Sequence, residues 1–127
     1  MSTFFAAGQY NWKVTLGKVT LLTGNESNEI LNIKKIKSAD WKKKGYLGIS
    51  FKETTPSTWS HSIQFMDDAG NQLLLKENSM SAKIPIATLR KLYAGKKQMK
   101  IYMLITPPNP MMMAPSRMIH LVTLRLP

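Results

Sequence analysis

The chain has 127 residues, 43% of them hydrophobic, and eighteen Lys and Arg set against seven Asp and Glu, for a formal charge of +11. That length and composition suit a single domain over residues 1–127 with a buried core. The absence of cysteine excludes disulfides, thiolate metal sites and a thiol nucleophile. The last fifty positions carry eight basic residues and no carboxylate, so the C-terminal part is the more basic one. Such a field favours an acidic protein surface or a polyanion. No apolar run reaches the roughly 20 residues of a membrane-spanning helix, so no membrane partner is expected. Residues 1–8 lack the basic start of a signal peptide. A cytoplasmic location is therefore expected, unless a leader has been removed.

In chain order, Val14 and Leu16 alternate with polar residues, as do Val19 and Leu21. The apolar parity changes across Gly17, which implies a β-bulge there or a turn between two short strands. Residues 28–44 fit either period, because Leu31 and Ile33 suit a strand while Ile30, Ile33 and Ile36 suit a helix. The reading favoured is a strand over 29–36 followed by a charged loop. Tyr46 to Lys52 is the clearest strand, with Leu47, Ile49 and Phe51 on one face. Ile63 and Phe65 repeat the pattern. Residues 67–71 have turn composition, and Gln72 to Lys76 completes a hairpin in which Gly70 and Asn71 tolerate positive φ. One short helix is expected around 86–94. Pro85 opens it, Ile86, Leu89, Leu92 and Tyr93 share a face, and Gly95 ends it. Two strands close the chain, with Ile101, Met103 and Ile105 on one face of the first and Val122, Leu124 and Leu126 on one face of the second. Prolines keep the connecting segment 107–116 out of a sheet ladder. These elements imply an all-β fold, a two-sheet antiparallel β-sandwich with one helix, immunoglobulin-like by analogy.

No motif for catalysis is present. His61 and His120 fall inside strands, and neither His-x-x-x-His, Gly-x-Ser-x-Gly nor a phosphate-binding glycine loop occurs. In Ser60-His61-Ser62, neighbouring side chains point to opposite faces, so the histidine cannot readily serve either serine. Asp67 and Asp68 are better explained as turn formers than as an acid–base pair. An enzyme is therefore not expected, nor any cofactor or metal. Met111, Met112, Met113, Met118 and His120 could bind a soft ion, but three adjacent methionines do not converge on one centre without an unusual turn.

Two segments remain as binding candidates. Lys34, Lys35, Lys37, Lys42, Lys43 and Lys44 surround Trp41, a mixture of ammonium groups and rings suited to single-stranded nucleic acid. The plainer reading is solubility and protection of sheet edges. The scarcity of arginine, only Arg90 before position 117, weakens the nucleic-acid case. Pro110, Met111, Met112 and Met113 form an adaptable apolar loop, either a contact for a partner or a plug for the open end of the sandwich. Trp12, Trp41 and Trp59 could stack on sugars, but core or rim positions are commoner for tryptophan. The leading expectation is a non-catalytic protein-interaction or assembly module for an acidic protein partner, with self-association through the methionine loop as a variant. The alternative is nucleic-acid binding through Lys34–Lys44.

Overall fold

The computed structural model describes residues 10–54, 58–108 and 116–127. Alternating apolar positions build most of the strands: β1 (Tyr10–Leu16), β2 (Val19–Gly24), β3 (Ile33–Lys35), β4 (Tyr46–Glu53), β5 (Ser60–Met66), β6 (Gln72–Lys76), β7 (Ser81–Pro85), β8 (Gln98–Thr106) and β9 (Arg117–Arg125). Two short helices, α1 (Ser38–Lys42) and α2 (Ile86–Leu92), complete the described elements. The strands form a four-stranded sheet, β2-β1-β4-β7, and a five-stranded sheet, β3-β9-β8-β5-β6. All pairings are antiparallel except that of β3 with β9. The fold is thus the expected all-β two-sheet sandwich.

The inner faces meet in one core. Val14, Leu47, Ile49 and Phe51 come from the first sheet, and Ile63, Phe65, Ile101 and Met103 from the second. Ile86, Leu89 and Tyr93 of the α2 region dock on the core, as a helix too short to stand alone must do. The Tyr93 hydroxyl donates to the Met66 carbonyl at 3.0 Å, and burial pushes its pKa up. Gly95 takes positive φ just past the helix, as its position in the sequence implied.

At Gly17 the structure takes the second of the two readings, a turn between short strands, with Gly17 at φ 60°. Elsewhere it differs from the sequence reading. The bulge lies instead in β2, where Leu21 has no partner between the Val14–Leu22 and Thr15–Thr20 pairs. Residues 29–36 are not one strand. The chain turns through 28–32, only Ile33–Lys35 pairs, and α1 replaces much of the charged loop. Local hydrogen bonds from Asn28 compete successfully with a sheet ladder there. Asn71 has no positive φ; it bonds back to Asp67, and Asn78 is the non-glycine residue at φ 51°. Strand β7 was not anticipated: Ala82 and Ile84 alternate with Ser81 and Lys83, but the run is only five residues long and ends at Pro85. In β9, Leu121 is bulged between the Ile101–Val122 and Tyr102–His120 pairs. The bulge lets Ile119, Leu121, Val122 and Leu124 all enter the core, and turns His120 and Thr123 to the opposite face of the sheet, where both are also buried.

Candidate functional site

After β2 the chain crosses onto the outer face of the five-stranded sheet, and polar side chains fix its path. Ser27 Oγ accepts the backbone N–H of His120 at 2.9 Å. Asn28 Oδ1 accepts the N–H groups of both Ile30 and Leu31, each at 2.9 Å, while its carbonyl accepts the N–H of Asn32. Asn32 Nδ2 donates to the Glu26 carbonyl at 2.9 Å, and the Asn32 carbonyl accepts the N–H of Thr123 at 2.8 Å. The Tyr102 hydroxyl donates to Glu29, which closes the turn against β8. Burial, reinforced by the Glu29 carboxylate, pushes the Tyr102 hydroxyl up to about 12.

This network has an unusual product. Ile30 is 82% exposed and Leu31 72% exposed, at the tip of a turn whose backbone is pinned from several directions. A merely solvated turn would be served by polar residues. Met118, 50% exposed, and Tyr102 border a depression of about 370 Å³ beside the same turn. The arrangement is an ordered apolar projection, already paid in entropy, next to a shallow partly apolar hollow.

The sequence candidates are dispersed. Lys34 and Lys35 lie on β3 at the edge of the five-stranded sheet, and Lys37 precedes α1. Lys42 ends α1, while Lys43 and Lys44 follow it toward the Gly17 turn, where both line a hollow with Lys18. Lys43 pairs with Asp40 at 3.3 Å. Trp41 packs against the core, and its carbonyl accepts from Arg90 Nη1 at 2.7 Å. The lysines of 34–44 therefore serve two regions, and Trp41 does not stand among them as a free platform. Trp12 is 2% exposed and offers no stacking surface for sugars, while Trp59 is half-buried against the core. Pro110, Met111, Met112 and Met113 lie outside the described residues.

The titratable groups occupy structural settings. His61 is buried on the inner face with Nε2 3.0 Å from Glu53 Oε1, close in distance but poorly aligned for a hydrogen bond. Ser60 and Ser62 point to the opposite face, as strand alternation requires. His120 Nε2 lies 2.7 Å from Thr123 Oγ1, and its ring meets Tyr102 edge-on at 5.3 Å. Burial lowers the His120 pKa, the Glu29 carboxylate opposing it. Asp67 caps the 67–71 turn by accepting the N–H groups of Ala69 and Asn71, and pairs with Lys96 at 2.9 Å. Lys96 and these backbone donors hold its carboxyl well below the usual range. Asp68 accepts the Gln98 N–H at 2.9 Å. Among the described residues no three His, Asp or Glu side chains group as a metal site, and no helix is long and apolar enough to cross a membrane.

Ile30 and Leu31 were read from sequence as strand residues, so the projection was missed. The available signal was Asn28, a residue type that bonds the backbone two and three positions ahead. Comparison of the chain with family models, with curated proteins and with solved structures gives no match.

Proposed function

We propose that this chain is a non-catalytic protein-interaction module, immunoglobulin-like in architecture, whose partner is an acidic protein with an apolar pocket. The parallel pairing of β3 with β9 and the helix between β7 and β8 support the architectural reading. One observation carries the functional one: two adjacent aliphatic side chains are held in solvent by a turn whose Ile30, Leu31 and Asn32 N–H groups are all bonded back to Asn28. Ile30 and Leu31 are the anchors, and because Asn28 holds them in place the partner need not order them. Lys34 and Lys35 follow the turn directly and speed encounter with an acidic surface. Burial of each anchor contributes about 1.5–3 kcal/mol.

The test is capture from native lysate after nuclease treatment, identification of the retained protein, and titration of that purified protein. The variant carrying Ile30→Ser and Leu31→Ser should lose about 3 kcal/mol, roughly a hundredfold in affinity. Equal affinity of wild type and variant would refute the role of the turn. Binding of the wild type to anionic vesicles, with no protein retained, would replace the protein partner by a membrane surface.

A further inference from the structure

The outer face of the four-stranded sheet is a second surface, on the far side of the core from the apolar turn. The ladder fixes which residues lie side by side. Asn11 pairs with Lys52; Lys13 sits between Thr23 and Ser50, with Ser81 beyond; Thr15 sits beside Gly48, with Lys83 beyond. Successive rows thus present Lys52, Lys13 and Lys83, one ammonium each, on β4, β1 and β7. Rows two residues apart are spaced about 6.8 Å along a strand and neighbouring strands lie about 4.8 Å apart, so the Cα atoms of Lys52 and Lys13 are about 8 Å apart and those of Lys13 and Lys83, two strands away, about 12 Å. The next position on β4 is Tyr46, 47% exposed, with Lys83 Nζ 4.6 Å over its ring.

The face is also concave. A groove of about 530 Å³ runs over it, walled by Lys13 and Lys83 and floored in part by Gly48. A Cβ at Gly48 would lie 2.6 Å from Thr15 Oγ1, so the missing side chain keeps the row open. At the Tyr46 end the groove reaches Gly17 and Gly45. Beyond Gly17 lie Lys18 and Lys44.

The geometry points to a binding site for single-stranded nucleic acid along this groove and the adjoining depression of about 450 Å³, which Lys13, Ser50 and Lys52 line. Lys52, Lys13 and Lys83 reach phosphates along the strand, the Ser50, Ser81 and Thr15 hydroxyls supply hydrogen bonds, and Tyr46 stacks on a base at one end. None of the sheet's outward positions holds a carboxylate. Protection of sheet edges does not explain Lys13 and Lys52, which sit on the interior strands β1 and β4. A protein partner fits poorly, because among the described residues the face offers, apart from Tyr46, no exposed apolar anchor of the kind that dominates protein interfaces. The site is independent of Ile30 and Leu31, so either proposal can fail without the other.

The experiment is fluorescence anisotropy with a labelled oligothymidylate of about 16 nucleotides, the upper end of site sizes for a single binding domain, across a range of salt. Wild type should bind with a salt-dependent affinity. The triple variant Lys13→Ala, Lys52→Ala, Lys83→Ala should bind at least about tenfold more weakly, and its log–log salt slope should shrink by about 2, from about 0.7 per phosphate contact. Replacement of the same lysines by arginine should preserve binding, which controls for folding. Tyr46→Leu should weaken binding about tenfold with the salt slope unchanged. The control Lys34→Ala, Lys35→Ala, Lys37→Ala removes the same charge elsewhere. Equal weakening by both triple variants would mean that net charge alone is at work and would overturn the site. So would absence of binding by the wild type, or a preference for anionic vesicles over the oligonucleotide.

Discussion

Alanine at Gly24 would place a Cβ where the Trp12 indole already lies. The added atom would sit 2.6 Å from Trp12 Cε2 and Nε1 and 2.8 Å from Cζ2, inside any real contact distance. The ring has nowhere to go. It stacks on Phe51 with centroids 6.1 Å apart, and its Nε1 donates at 3.0 Å to the carbonyl of Leu121, the bulged residue of β9. Gly24→Ala should therefore cost about 1–3 kcal/mol, the usual range for overpacking. Trp12→Leu should cost about 2–4 kcal/mol, a little less than full truncation to alanine, since it opens space and leaves the Leu121 carbonyl without its donor. In the double variant the clash is gone, so Gly24→Ala should add almost nothing. The coupling between the two sites is then about 1–3 kcal/mol, well above the additivity error of about 0.3–0.5 kcal/mol. Urea unfolding of the four proteins measures it. With a slope of about 1–3 kcal/mol/M, Gly24→Ala alone moves the midpoint by about 1 M and leaves the slope unchanged. Additive losses within 0.5 kcal/mol, on the order of that same error, would show that Gly24 is not a glycine for the sake of Trp12.

Stability should fall in acid in two windows. His120 and Asp67 both have folded pKa values below their ordinary 6.5 and 3.8, so the unfolded chain binds more protons and stability rises with pH. Wild type should lose stability as pH drops below 6.5 and again below 3.8. His120→Gln should flatten the first slope and Asp67→Asn the second, both read from melting temperature against pH; parallel curves would refute the assignments. Arg90→Ala tests the anchoring of α1, a five-residue helix with no side-chain cap and no buried residue, held by Arg90 Nη1 donating to the carbonyls of Trp41 and Lys43. The expected loss is about 1–2 kcal/mol, with faster hydrogen exchange confined to residues 38–44. Unchanged exchange there would show that Arg90 is not the brace.

Much of the fold was legible because most strands announce themselves through local alternation. Leu47, Ile49 and Phe51, or Ile101, Met103 and Ile105, face inward since a strand has a period of two and one face is covered. Gly95 and Asp67 were equally readable, because backbone sterics and short-range hydrogen bonds act within a few residues. The sites were less legible. Ile30 and Leu31 look like strand residues until the bonds from Asn28 and the contacts with β8 and β9 leave them exposed. Lys13, Lys52 and Lys83 are isolated in the sequence and form no local cluster, whereas the conspicuous run from Lys34 to Lys44 divides between two regions.

By itself, then, the sequence determined the periods of most strands, the turn at 67–71, the start and stop of the helix after Pro85, and the basic charge, all set by residue type and near neighbours. Tertiary structure alone decided the sheet order, the bulge at Leu121, and which lysines share a face. The physical reason is range: ladder register joins residues such as Lys13, Ser50 and Ser81 across dozens of positions, and no local period records that pairing.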